Sequence, residues 1–523
     1  MSISQVDVEK GRDAAAPLEA SDPANSNGIE DAGSEISDQD IAMAVVGEHA
    51  HEIDPVMEAR VIRKLDRFLI PAMTIGYGLV YYDKAILGSA ALFGMTTDLH
   101  LSVETSTGAT DTSRLSWATS SFYFGMLGGL YPMTFALQHF PIGRMLGGVV
   151  ALWALICMLT ATVTTYQGLY AQRFFLGFVE SIIPTAFMVI ISGYYTQREQ
   201  ALRQSWWFSS TGIFTIVGGA LNYGFAQITG GSLHRWQYIY LLAGVLTFIF
   251  ALWCLIVPTS PVTAWFLSEE EKITAVERLR HGQTGVRCDK LKMSQLKEAI
   301  VDVKVWLIFI MMLTAYTVNG AVSGFGPLIV STFGWSNLDS ILFQFPLGGI
   351  VLIFILLTGY LSSKIRNIRI IMLVLCCFPV IAGCAMIWRS SWNHHAALPV
   401  VGYTIIGFFG PVVSLIISIG MSNVAGATKK SFMAASIFVA YCVGNIIGPQ
   451  LIKSQTKPRH YPELWLGLII CYCVCIVASI ALYIVLRTEN KRRTALQLND
   501  EDRDKLAFKD LTDMENVYFT YQL

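Results

Sequence analysis

Charge is what this chain is short of. Asp, Glu, Lys and Arg make up 14% of its 523 residues, against about 25% in an ordinary soluble domain. A water-soluble enzyme of this length needs far more to cover its surface. Catalytic patterns are missing as well: the sequence has no clustered His, no G-x-S-x-G, no P-loop and no C-x-x-C. No basic patch points to nucleic acid. No apolar run precedes Phe68, so no cleavable signal peptide is expected. Nine of the ten cysteines lie in apolar segments, Cys288 being the exception. Cys471, Cys473 and Cys475 are spaced by two, which scatters them around a helix. They read as small apolar residues, not as disulfides or metal ligands.

What is present is apolar bulk. Hydrophobic residues reach 53%, with 43 Gly, 29 Phe, 21 Tyr and 12 Trp, and the mean hydropathy is +0.50. This excludes fibrous, disulfide-rich and largely disordered chains and points to an all-α integral membrane protein. A run of about 20 apolar residues crosses a bilayer core as a helix. Twelve such runs occur, near 68–92, 116–138, 145–165, 168–194, 205–228, 236–258, 304–332, 340–361, 369–388, 397–421, 431–452 and 464–486. The expected organisation is a tail (1–62), a six-helix bundle (63–258), a polar linker (259–303), a second six-helix bundle (304–487) and a hydrophilic tail (488–523). Gly143/Gly147, Gly320/Gly324 and Gly444/Gly448 are four apart, as close helix packing requires.

The net charge of −1 hides an asymmetry. Residues 1–58 carry a charge of −12, which reads as a disordered acidic tail, and the remainder carries +11. Lys and Arg crowd one set of span ends (Arg60, Arg63, Lys64, Arg67, Arg144, Arg203, Lys364, Arg366, Lys429, Arg487), and few flank the other. The positive-inside rule puts both tails and the linker in the cytoplasm. In the linker, Ser268-Glu-Glu-Glu271 has the form of a capping box. It predicts a helix from there to Arg280, read as a solvated amphipathic connector on the inner membrane face. His394-His395 reads as a solvated outer-loop pair.

Away from the span ends the embedded charges are Asp83, Lys84, Arg173 and Glu180. Each costs at least about 2.5–3.5 kcal/mol at a span centre, so each needs a partner or an aqueous path. At 1.5 Å rise per residue, Asp83 lies about 22 Å into span 1 and Arg173 about 10 Å into the oppositely running span 4. In a core about 30 Å thick these levels nearly coincide. Glu180 lies two turns deeper on the face of Arg173. The four are expected to share one cavity between the bundles. Two carboxylates and two cations cancel, so an added substrate anion leaves one excess negative charge, which protonation of Asp83 or Glu180 removes. Anion and proton binding then favour each other, as symport requires. Tyr316, Asn319, Tyr441 and Asn445 are the polar candidates of the second half, competing with plain helix–helix hydrogen bonding.

At these residues the chain resembles the anion:cation symporter branch of the major facilitator superfamily, and more narrowly the fungal allantoate permease family. The motifs are Asp83-Lys84 followed by Gly88, Arg173-Phe-Phe-Leu-Gly-Phe-Val-Glu180, Trp265-Phe-Leu-Ser-Glu-Glu-Glu-Lys272, and Gly444-Asn-Ile-Ile-Gly-Pro449. The likeness spans about residues 60–490. It implies two six-helix bundles rocking about a central site. It further implies that Asp83 and Glu180 carry coupling protons, while Lys84 and Arg173 handle a substrate carboxylate.

The expectation is a monomeric plasma-membrane transporter and not an enzyme. It takes up a small organic monocarboxylate with protons, driven by the proton gradient and without a cofactor. Export of a metabolite or toxic compound by the same fold is the alternative, and a nutrient sensor is a weaker one.

Overall fold

The computed structural model describes residues 54–104, 110–228, 230–258, 260–281, 292–392, 396–495 and 511–523. The expectations for residues 1–53, Cys288 and His394-His395 lie outside the described residues.

The architecture is helical, apart from a small antiparallel pairing of Val103–Glu104 with Thr110–Asp111. Span 1 runs Pro55–Ala90, starting ahead of the expected boundary at 63. Asp54 caps it by accepting from Val56 N at 3.0 Å, and Pro55 occupies the first turn, where its missing N–H costs nothing. The span ends in a π-helical turn, Ala91–Met95, where Gly94 takes φ +100. Spans 2 and 3 are Ser113–His139 and Ile142–Leu159. Span 4 is Tyr166–Glu180 plus Ile182–Tyr194, and span 5 is Gln197–Phe208 plus Ser210–Ala226. Span 6 is Arg235–Cys254. After the linker come span 7 (Val303–Ser331), span 8 (Asn337–Lys364), span 9 (Arg369–Arg389), span 10 (Ala397–Ser422), span 11 (Ala427–Gln450) and span 12 (Pro462–Thr494). Among the described residues, nine helices are long and apolar enough to cross a membrane on their own; spans 1, 2 and 5 fall short.

The two bundles meet along a seam of spans 1 with 7, 2 with 11 and 5 with 8. Glycine permits the approach. A Cβ on Gly88 would lie 2.7 Å from the Gly324 carbonyl oxygen, so a side chain there would push spans 1 and 7 apart. The described hydrogen bonds across the seam gather at the face away from the linker. Ser116 Oγ donates to the Pro449 carbonyl at 2.9 Å, Gln450 Nε2 to Ser120 Oγ at 3.0 Å, and Asn337 Nδ2 to the Leu92 carbonyl at 3.2 Å. This face is tied shut.

The linker corrects one expectation. The capping box forms: Ser268 N donates to Glu271 Oε2 at 2.9 Å, and the helix runs Glu269–His281. It is not a solvated connector, because Glu271, Glu277 and Arg278 are buried against the first bundle. Glu271 pairs with Lys64 at 2.7 Å, and Arg278 pairs with Glu58 at 3.1 Å and with Glu199. A second linker helix, Met293–Val301, belongs instead to the other bundle: its Glu298 pairs with Lys429 at 2.6 Å. The insert is thus divided between two bodies.

Candidate functional site

Three helices are interrupted at one level, and local chemistry accounts for each. Pro184 cannot donate to the carbonyl of Glu180, four residues back, and span 4 breaks at Ser181. Pro411 stands in the same relation to Gly407, where span 10 divides into Ala397–Ile406 and Phe409–Ser422. In span 5, Ser209 Oγ donates back to the Trp206 carbonyl at 2.6 Å and Thr211 Oγ1 to the Phe208 carbonyl at 3.0 Å. Such back-bonding bends helices. Broken helices at mid-membrane are tolerated where they line a cavity.

A cavity lies at this level between the bundles. Span 1 contributes Tyr77, Tyr81 and Lys84, span 5 Phe208 and Thr211, span 7 Tyr316 and Asn319, span 10 Phe409 and Val413, and span 11 Tyr441. Its volume is about 30 Å³, the share of one water in the liquid. A volume of that size does not admit a small organic molecule. A larger depression of about 720 Å³ at the far face, lined by Phe93, Leu233, His234 and Asn337, has none of the embedded charges in its wall.

The embedded charges form two sets. Lys84 reaches the cavity and pairs with Glu180 at 2.8 Å, the lysine side chain 12% exposed and the glutamate 0%. Its ammonium also lies 5.4 Å from the centre of the Phe122 ring and 5.7 Å from that of Tyr441. The second carboxylate oxygen of Glu180, Oε2, has no hydrogen-bond partner among the described residues. Asp83, next along span 1, turns inward instead of toward the cavity. It accepts from Trp153 Nε1 at 3.1 Å and from Cys157 Sγ at 3.6 Å, both on span 3. Arg173 is buried, donates to the Tyr240 hydroxyl of span 6, and has an unpartnered Nε. Cys157 Sγ also lies 3.8 Å from the Tyr240 carbonyl, an alternative acceptor for its one thiol proton, so Asp83 and Arg173 are linked through spans 3 and 6 inside the first bundle.

In the second half, Tyr316, Asn319 and Tyr441 line the cavity and Asn445 does not. Asn445 stands behind them: its Oδ1 accepts from Asn319 Nδ2 at 2.8 Å, and its Nδ2 donates to the Tyr441 carbonyl at 2.8 Å. Tyr316 and Tyr441 pack edge to face, with centres 4.5 Å apart. Sequence reasoning missed Tyr77 and Tyr81, although a signal was there. Residues 77, 81 and 84 repeat at four and three on span 1, the face that Lys84 marks. No such marker flags Phe208 or Phe409, which enter through the helix breaks.

With this geometry in view, the chain belongs to the major facilitator superfamily, whose description fits residues 73–449. It is a membrane transporter and not an enzyme. Its relatives include the allantoate permease of Saccharomyces cerevisiae, 30% identical over 93% of this chain and 91% of that protein. The thiamine pathway transporter THI73 of the same yeast is 32% identical over 95% and 92%. An uncharacterized transporter of Schizosaccharomyces pombe, C417.10, is 32% identical over 90% and 91%. Among solved structures, a D-xylose–proton symporter covers 79% of this chain and 96% of its own with a TM-score of 0.58 at 15% identity. That likeness supports the two-bundle fold.

Proposed function

We propose that this protein carries a small organic monocarboxylate into the cell together with protons, as a monomer in the plasma membrane with its linker side in the cytoplasm. The observation that carries the reading is the Lys84–Glu180 pair at the cavity wall. Lys84 is the cation the cavity offers, and it is already neutralised. A substrate carboxylate that takes Lys84 displaces Glu180, and a displaced carboxylate in a dry site is strongly disfavoured unless it binds a proton. Substrate and proton then bind together and leave together. Asp83 is the second proton site, shielded from substrate by its place against Trp153. Arg173 compensates Asp83 from within the bundle and reaches a substrate only if rocking swings it free of Tyr240. Tyr316, Asn319 and Tyr441 orient the substrate, with Asn445 fixing Asn319.

The named allantoate permease among its relatives fits an organic-anion substrate. Purified protein in proteoliposomes tests the reading with a panel of labelled small carboxylates at acidic and neutral external pH, with and without a protonophore. Glu180→Gln imitates the protonated acid. It is expected to abolish gradient-driven accumulation while substrate counterflow persists. Normal pH-driven accumulation by folded Glu180→Gln removes Glu180 as the carrier and leaves Asp83.

A further inference from the structure

Residues 511–523 follow the last span and have no helix or strand of their own, yet they are seated in the linker-side end of the second bundle. Arg493 of span 12 holds them with four donations. Nη1 reaches the carbonyls of Asn516 at 3.2 Å and Phe519 at 2.7 Å, and Nη2 the carbonyl of Asp513 at 2.8 Å and the Tyr521 hydroxyl at 3.1 Å. Asn423, in the turn between spans 10 and 11, pairs with Gln522 through both its amide atoms, at 2.7 and 2.9 Å. The carboxylate of Asp513 is wholly buried between Lys304 and Lys429.

These two ammoniums are already fully engaged. Lys429 contacts Glu298 at 2.6 Å, Asp302 at 2.8 Å and Asp513 at 2.9 Å, and Lys304 contacts Asp302 at 3.2 Å as well as Asp513. Three carboxylates share two cations. Thr512 sits against this cluster, fully buried, its Oγ1 donating to Glu298 Oε2 at 2.9 Å and accepting from Glu515 N at 3.1 Å. Glu515 Oε2 in turn accepts from Thr512 N at 2.9 Å. Acidic residues stand two before, one after and three after Thr512 (Asp510, Asp513, Glu515), a setting that suits a Ser/Thr kinase selecting acidic sequence.

We propose that Thr512 is a phosphorylation site and that its modification unseats residues 511–523 from the second bundle. A kinase would transfer the γ-phosphoryl group of ATP to Thr512 Oγ1. The new O–P bond replaces the β–γ linkage, ADP leaves, and the hydroxyl proton passes to the kinase base. The product loses the donor to Glu298 and adds about 1.5–2 negative charges where three carboxylates already exceed two cations. No room remains at a fully buried oxygen, so the seated form rejects the phosphate. The seated and lifted forms are the two states that modification biases. Because side chains hold the segment, it lifts as a unit, exposing Thr512 before the kinase acts.

Hydrogen–deuterium exchange on the purified full-length protein measures the seat, and mass spectrometry after incubation with casein kinase 2 and ATP measures the modification. Thr512→Glu is expected to speed exchange over 511–523 by roughly tenfold or more, while Thr512→Val keeps it within about threefold of wild type. Adding Glu298→Gln to Thr512→Glu is expected to restore part of the protection, which a mere misfit would not allow. Arg493→Ala, which loosens the seat without altering the acidic motif, is expected to accelerate phosphate incorporation at Thr512. Unchanged protection in Thr512→Glu overturns the proposal, as does the lack of phosphate at Thr512 in both wild type and Arg493→Ala.

Discussion

The two halves of this transporter both pair charges at their linker-side ends, and they differ in what they carry at depth. The first bundle carries Asp83, Lys84, Arg173 and Glu180 at the depth of the membrane. The buried charges of the second, Asp302, Lys304, Lys429 and Arg493, sit in a cap at the linker-side ends of its helices, completed by Asp513 and Glu298. At the depth of the cavity the second bundle offers rings and amides. A charge at depth is costly and has to be returned in function, whereas a charge at a water-facing end is cheap to place and suits holding parts together. On the proposed function, the first half would hold the groups that a proton or an anion acts on, and the second would supply the surface they work against.

The sharpest way to break this division is Lys84→Gln. It is expected to lower substrate affinity by about 100-fold or more, in keeping with 2–5 kcal/mol for one partner of a buried charge pair. Binding to detergent-purified protein measures it, and an equal loss in Asn319→Ala would show that the second half binds as strongly as the first. Next comes Lys429→Met, which leaves Glu298, Asp302 and Asp513 short of a cation. A loss of about 3–5 kcal/mol in stability is expected, read as a lower melting temperature, with transport per folded molecule unchanged. A fall in transport rate at full stability would place coupling in the cap as well.

Tyr240→Phe sharpens the comparison inside the first half by removing the hydroxyl that Arg173 donates to. A hydrogen bond to a charged group contributes about 1.5–3 kcal/mol. The variant is expected to lose stability of that order, read as a lower melting temperature of the purified protein. An unchanged melting temperature would show that the first bundle does not depend on that hydroxyl to hold Arg173.

The smallest effect concerns pH and the cap. Burial would raise the Asp513 carboxyl, but Lys304 and Lys429 outweigh it and hold the group below its ordinary value. A carboxylate with a depressed folded-state pKa stabilises above its unfolded value, about 3.9, and loses that contribution only as pH falls through the folded value. Exchange protection over 511–523 is therefore expected to stay constant from neutral pH down to about pH 5. A drop across that window would mean that a group in the cap responds to physiological acidification.

Much of this was legible in the sequence, because the deciding physics is local. Hydropathy runs of bilayer length mark the spans, Ser268 and Glu271 mark a helix start, and four ionisable residues at membrane depth mark the half that carries the embedded charge. The family could be read from the Arg173-to-Glu180 pattern and the glycines of span 11, because spacing on one helix is fixed by its period. Tertiary structure decided the partners. Asp83 and Lys84 are neighbours in sequence, but adjacent helical residues point about 100° apart. One therefore meets Trp153 inside the bundle and the other Glu180 at the cavity. The same holds for the linker, whose two helices dock on different bodies, and for residues 511–523, which read as part of a hydrophilic tail until Arg493 and the Lys304–Lys429 pair are brought beside them. Composition sets the cost of burying each charge, and only the packing of distant helices determines which opposite charge offsets it.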